Sequence, residues 1–208
     1  MIQVRDVYTL KFGRTDQAVS LFQRMPAVAG RTGDQAYQQH ALTDISGPMY
    51  TFVSELLVPS LGQWEAGRAK VFDRPGFDEW FKEFQLIVQT GHQDFYTLEA
   101  EHPGWSRPGV VVVRECYRAL KWQIRPAAGL LQRYGALLED TGVGRRPRIL
   151  TDLSGEMFNA ILEIEADDLA VWEAMRQELY QRPEFQVWFA QLSSCVESGH
   201  HEFYRVEI

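Results

Sequence analysis

Apolar positions along this chain change period in an order that occurs twice. Ile2 to Phe12 and Val110 to Val113 are dense in β-branched and aromatic residues and read as strands. Thr15 to Met25 then carries Ala18, Leu21, Phe22 and Met25 at helical spacing, and Pro126 to Leu138 does the same with Leu130, Leu131, Tyr134, Leu137 and Leu138. Ala41-Leu42 and Ile149-Leu150 lead into Asp-x-Ser-Gly, a hairpin signal because its short side chains bond back to local backbone and its glycine tolerates positive φ. The next strand alternates. Tyr50, Phe52, Leu56 and Val58 fall on one face and Met49, Thr51, Val53 and Glu55 on the other, and Phe158, Ala160, Leu162 and Ile164 likewise oppose Met157, Asn159, Ile161 and Glu163. Ser60 and Asp168 stand at cap positions for a helix through Trp64 or Trp172, which Pro75 or Pro183 interrupts. A second helical segment presents Phe77, Trp80, Phe81 and Phe84, or Phe185, Trp188, Phe189 and Leu192, and a last strand follows Gly91 or Gly199.

The two halves are copies. Residues 43–99 align with 151–207 at a constant offset of 108 and are identical at 22 of 57 positions, from Thr43-Asp44 and Thr151-Asp152 to Glu99 and Glu207. Val4-Arg5-Asp6-Val7-Tyr8 faces Val113-Arg114-Glu115-Cys116-Tyr117 at an offset of 109, so one residue was gained or lost between. Two prolines and two glycines between Ala100 and Gly109 block both helix and ladder. The expected organisation is a first repeat over 1–100, a linker over 101–109 and a second repeat over 110–208.

Each repeat is a βαββαβ unit, the ferredoxin-like arrangement of the α+β class, whose antiparallel sheet has helices on one side only. The bare face needs cover, and the two sheets can supply it by packing face to face as an intrachain α/β barrel. Val4-Arg5-Asp6-Val7-Tyr8-Thr9-Leu10-Lys11-Phe12-Gly13, followed by Ser60-Leu61-Gly62-Gln63-Trp64-Glu65-Ala66-Gly67-Arg68 before Trp80-Phe81, resembles the dimeric α/β-barrel superfamily and within it the NIPSNAP-like members. The second repeat departs at the first turn, with Gln123 or Ile124 where Gly13 stands. The resemblance implies relatives that include cofactor-free monooxygenases, small-molecule isomerases and lyases, and haem-handling enzymes, so it widens the functional list as much as it narrows it.

Composition removes several classes. A chain of 208 residues with 45% hydrophobic and 24% charged content is a globular one that needs no disulfide framework, and two cysteines fit that. The net charge of -7 repels a phosphate backbone, so nucleic acid is an unfavoured partner. No apolar run has membrane-spanning length and the opening residues lack the build of a signal peptide, which together predict a cytoplasmic protein with no membrane partner, as a monomer or homodimer.

Candidate chemistry centres on Gly-His-x-acid-Phe-Tyr, at 91–96 and again at 199–204. Residues two apart on a strand share a face, so His92, Asp94 and Tyr96 point together, as do His200, Glu202 and Tyr204. An imidazole oriented by a carboxylate is a general base or a partial metal-ligand set; the structural alternative is a strand start with the histidine at the rim and the tyrosine packed. Glu55 and Glu163 lie on aliphatic strands where an unpaired carboxylate is costly, and the ferredoxin-like strand order puts Arg5 and Arg114 beside them. Facing the barrel interior these four form a polar floor for a ligand, and facing the helices they are structural ion pairs. Trp64, Trp80, Trp172 and Trp188 recur at core spacing, and Cys116 and Cys195 replace aliphatic residues of the other repeat.

Three functions follow as expectations. The first is a site in the barrel interior for a small hydrophobic or aromatic metabolite, used by a cofactor-independent oxygenase or acid-base enzyme. His92 and His200 would be its bases, with Arg5, Arg114, Glu55, Glu163, Met49, Met157, Tyr96 and Tyr204 around the ligand and no cofactor. The second is a non-catalytic binding or assembly module. The third is haem or metal binding through the repeated histidine.

Overall fold

A computed structural model describes residues 1–29, 39–99, 104–142 and 144–208. The first repeat holds β1 (Ile2–Leu10), α1 (Thr15–Val28), β2 (Gln39–Asp44), β3 (Thr51–Val58), α2 (Leu61–Phe72), α3 (Phe77–Ile87) and β4 (Val88–Leu98). The second repeats the series with β5 (Val111–Ala119), α4 (Ile124–Asp140), β6 (Arg145–Asp152), β7 (Asn159–Ala166), α5 (Leu169–Tyr180), α6 (Pro183–Ser193) and β8 (Val196–Val206). The proline at 183 opens α6 as its first residue, where its missing N–H costs nothing. Ser60 Oγ accepts from the Gln63 amide at 3.2 Å and Asp168 Oδ1 from the Val171 amide at 2.8 Å, so both expected caps are made.

Among the described residues, the eight strands pair antiparallel in one closed ring, β1-β3-β2-β8-β5-β7-β6-β4, which leaves no free edge. Within each repeat the order is the ferredoxin-like one, and the repeats meet at β2–β8 and β4–β6. The Asp-x-Ser-Gly turns secure those seams. Phe203 O accepts the amides of Ile45 and Ser46 at 2.8 and 3.3 Å, and Phe95 O accepts those of Leu153 and Ser154 at 2.9 and 3.1 Å. The best-preserved repeated segment is thus a clamp between repeats, which explains its persistence without any chemistry.

Even-numbered residues of β1 and odd-numbered ones of β5 face the helices, and one apolar cluster per repeat fills that space. The Trp80 and Trp188 indoles donate to the carbonyls of Leu21 and Leu130, each at 2.8 Å, tying α3 to α1 and α6 to α4. Gly91 and Gly199 are required by close approach: a Cβ there would lie 2.7 Å from Tyr8 Cδ1 or 2.8 Å from Tyr117 Cδ1. No helix among the described residues is long and apolar enough to cross a membrane. Residues 101–103 of the expected linker, including His102, lie outside the described residues, but the stretch from Gly104 onward is no mere spacer. Trp105 is buried and enters the end of the barrel.

Candidate functional site

The opposite strand faces build the barrel interior, and charge fills its middle. Arg5 Nη1 donates to Glu55 Oε1 at 2.5 Å and Arg114 pairs with Glu163, as the strand order predicts. A third cation, Arg148 on β6, binds both carboxylates through Nη2, at 2.9 Å from Glu55 and 3.0 Å from Glu163. The Arg148 guanidinium lies 3.6 Å from the Trp105 ring centre, and the Trp105 indole N–H donates to Glu55 at 3.2 Å. Gln3 reaches Glu163 at 3.5 Å. Against the cost of burial, Arg148 and then Arg5 hold the Glu55 carboxyl down to about 2. Arg148, Glu55 and Glu163 are at most 1% exposed.

These contacts correct the expected ligand chamber. The four paired groups do face inward, but their partners are one another, Arg148, Trp105, Gln3 and Glu202, with Leu42, Val53, Leu57, Leu150 and Ile161 packed around them. Met49 and Met157 do not line the interior either. They are 70% and 65% exposed in the hairpin turns, because Tyr50 and Phe158 adopt φ of 63° and 68° and the strands begin only at Thr51 and Asn159. Arg148 escapes the repeat comparison because its counterpart is His40, and Trp105 because it sits in a segment rich in proline and glycine.

The His-x-acid-x-Tyr residues share the inner face. β4 and β8 both run antiparallel to β1, β8 through three antiparallel steps, so His92 and His200 open at the same mouth of the barrel. Along β4, His92 Nε2 is 3.5 Å from Asp94 and Tyr96 donates to Asp94 at 3.3 Å. Along β8, His200 Nε2 is 3.3 Å from Glu202, whose other oxygen accepts from Tyr204 at 3.1 Å. Tyr96 and Tyr204 are buried, whereas the histidine side chains are 64% and 66% exposed. Glu202 reaches inward to Arg114 at 3.4 Å and Arg5 at 3.7 Å. Hydrogen bonding to Cys116, ahead of that to Glu202, pushes His200 up to about 9 despite the opposing cost of burial. His200 thus holds a proton more tightly than an ordinary imidazole does.

Open space lies on the helix side. A cavity of about 230 Å³ separates α2 and α3 from the outer face of the first repeat's sheet, walled by Phe22, Trp64, Val71, Trp80 and Phe84. Asp6, Ser54, Arg68 and Gln93 give it a polar end. Asp6 accepts from Gln93 Nε2 at 2.5 Å, and burial raises the Asp6 pKa against that hydrogen bond. The Arg68 guanidinium lies 5.4 Å from the Trp64 ring centre and 5.0 Å from that of Phe72.

The second repeat fills the equivalent space. Met175 stands where Gly67 does, Leu162 where Ser54 does and Tyr134 where Met25 does, and Met175 and Leu162 are buried to 1% or less exposure. Trp172 is core as expected, at 5% exposure, while Trp64 is only half-buried. Toward its rim this half keeps a groove with Glu115 at its base. Burial pushes the Glu115 carboxyl up to about 7, although Tyr117 donates to it at 2.7 Å and Arg176 opposes the rise. Glu115 and its neighbour His201, 3.8 Å away, were not singled out by sequence; the signal was an acid on the helix-facing parity of an otherwise aliphatic strand.

No family model matches the chain and no curated protein matches it in sequence. Solved structures do match its fold. A putative monooxygenase from Fusobacterium nucleatum superposes with a TM-score of 0.72 at 9% identity, over 100% of this chain and 92% of its own. An anthrone oxidase-like protein superposes with a TM-score of 0.66 at 15% identity, over 99% of this chain and 90% of its own. A NIPSNAP domain protein from Burkholderia xenovorans aligns over 45% of this chain and 90% of its own, at 21% identity and a TM-score of 0.40. The architecture is that of the dimeric α/β barrels, with both halves in one chain.

Proposed function

We propose that the chain binds a small, flat, largely apolar metabolite in the helix-side cavity of its first repeat and acts on it by acid-base chemistry. The observation that carries this reading is the space between helix and sheet at Gly67 and Ser54, which Met175 and Leu162 occupy in the second repeat. Aromatic walls favour an aromatic ligand by stacking and edge contacts. The paired Asp6 and Gln93 then meet its polar edge. Asp6, with its pKa raised by burial, is a better proton acceptor than a solvent-exposed aspartate.

A phenolic or enolic O–H that gives its proton to Asp6 leaves an electron-rich anion on the ligand. Such an anion can add dioxygen at carbon without a cofactor, take the proton back from Asp6 as a hydroperoxide, and lose water to leave a carbonyl, the chemistry of a cofactor-independent monooxygenase. That two full-length structural neighbours are described as a putative monooxygenase and an anthrone oxidase-like protein supports this direction.

The internal repeat supplies the test. Gly67→Met copies Met175, and a Cβ at Gly67 meets nothing within 4 Å, so the variant should fold and place its side chain in the cavity that Gly67 lines. With 1-naphthol as probe, calorimetric titration should show saturable binding to the parent and at least about tenfold weaker binding to Gly67→Met, roughly the 1.4 kcal/mol that a lost apolar contact surface provides. With anthrone as substrate, Asp6→Asn should keep binding and lose oxygen uptake at an electrode. Equal naphthol affinity in parent and Gly67→Met overturns the assignment of the site.

A further inference from the structure

The geometry points to a divalent-metal site at the mouth of the barrel, built by Cys116 on β5 with His200 and Glu202 on β8 and suited to a borderline ion such as Zn²⁺. Cys116 stands directly opposite His200 in the β5–β8 register, and Glu202 is two residues further along the same face. One donor atom from each lies within 4.8 Å of the other two, and His200 Nε2 is already 3.3 Å from Glu202 Oε1. Zinc bonds of about 2.0–2.3 Å in a tetrahedral arrangement place neighbouring donors about 3.3–3.8 Å apart. Closing the set around an ion therefore takes about 1.5 Å of relative donor movement at most.

Three further features suit a cation here. The donors sit at an opening, with Cys116 at 9% exposure and the His200 side chain at 66%, so a fourth position faces water, as in zinc sites with three protein ligands. Glu202 keeps one oxygen toward His200 while the other is fixed by Tyr204 and Arg114, the outer support that metal-bound carboxylates receive. Beneath the donors Arg5, Arg114 and Arg148 face Glu55 and Glu163, and the ligand Glu202 supplies the third carboxylate, so the charge of an incoming ion is met by Glu202 and by the thiolate it creates. Binding displaces the Cys116 thiol proton and any proton on His200 to solvent.

The first repeat is an internal comparison. Its matching positions are Val7, His92 and Asp94, which keep the imidazole and the acid but lack sulfur. Of the two matching sets, the second repeat's alone has three donors of the types zinc takes.

The test uses the full chain dialysed against a chelator. Titration with Zn²⁺ should release heat to a stoichiometry of one, and Co²⁺ should give the near-ultraviolet absorption band of a thiolate-cobalt bond. Cys116→Val restores the residue of the first repeat and so preserves packing. It should abolish the cobalt band and weaken zinc by more than the about 10–100-fold that loss of an outer partner costs, as should His200→Ala at its exposed position. The absence of any cobalt thiolate band in the parent, or unchanged zinc affinity in Cys116→Val, overturns the site. Neither outcome bears on the helix-side cavity, which these variants do not touch.

Discussion

Replacing Glu115 by glutamine should stabilise the protein, increasingly as pH rises from 4.5 to 7 and fully above that. Glu115 is 2% exposed on the helix-facing side of β5, with Tyr117, Tyr134, Tyr180, Arg176 and His201 around it. Burial disfavours its charged form more than Tyr117 and Arg176 favour it, hence a pKa of about 7 against an ordinary 4.5. Below pH 4.5 the carboxyl is neutral in folded and unfolded chains alike and contributes no pH dependence. Between 4.5 and 7 the folded state holds the proton more tightly, so stability falls as pH rises, by up to about 1.4 kcal/mol per unit. Above 7 the loss is complete, on the order of 3 kcal/mol from the difference of about 2.5 units. Glutamine has nearly the same shape, accepts the Tyr117 hydroxyl and never ionises. Urea unfolding followed by circular dichroism from pH 4.5 to 8.5 should show the two proteins similar at the acid end and Glu115→Gln about 3 kcal/mol more stable at the alkaline end. Other titrating groups are common to both and cancel in the difference. A pH-independent difference would refute the raised pKa, and a parent that gains on the variant with rising pH would mean that Arg176 outweighs burial.

Gly199→Ala would drive a methyl group into Tyr117 Cδ1 at 2.8 Å and toward the Cys116 carbonyl at 3.2 Å, so it should cost about 1–3 kcal/mol where a glycine removed from a strand would ordinarily help. An unchanged melting temperature would contradict the packing. Arg148→Ala leaves Glu55 and Glu163 without their shared cation and should lower the unfolding free energy by about 3–5 kcal/mol in urea titration. A loss under about 1 kcal/mol would show that Arg5 and Arg114 alone satisfy both carboxylates.

Much of the fold was legible because the chain states it twice. The constant offset aligns one repeat on the other, period changes mark the strands and helices, and the short polar residues Ser60 and Asp168 mark helix starts through a bond that only such side chains make. The Arg5–Glu55 and Arg114–Glu163 pairs follow from strand parity and strand order together. Contacts that depend on cross-strand register do not follow, which is why Cys116 and His200 look unrelated in sequence and stand opposite in the sheet. The hairpin methionines misled because a positive φ at the next residue breaks the alternation, and Tyr50 and Phe158 carry no sign of it. The helix-side cavity was hidden for another reason. Gly67 and Met175 both look ordinary in a helix, and only the space between helix and sheet distinguishes them.

The interior charge cluster explains what duplication within one chain makes available. Glu55 and Glu163 are repeat equivalents, and both bind the same nitrogen of one Arg148. In a symmetric pair of identical chains the residue opposite Arg148 would be a second arginine, bringing another guanidinium into the same buried space and leaving the cluster with excess positive charge. Here that position is His40, half-buried, with its pKa lowered by desolvation and its Nδ1 bonded to the Ile208 carbonyl at 3.2 Å. The neutral imidazole lets two symmetric carboxylates share one asymmetric cation. The same freedom opens a cavity at Gly67 in one repeat while Met175 closes it in the other, and adds sulfur at Cys116 where Val7 remains. Each change is a single residue at a position whose twin is left alone. An assembly of identical subunits has no route to such a change, because every substitution appears in both halves at once.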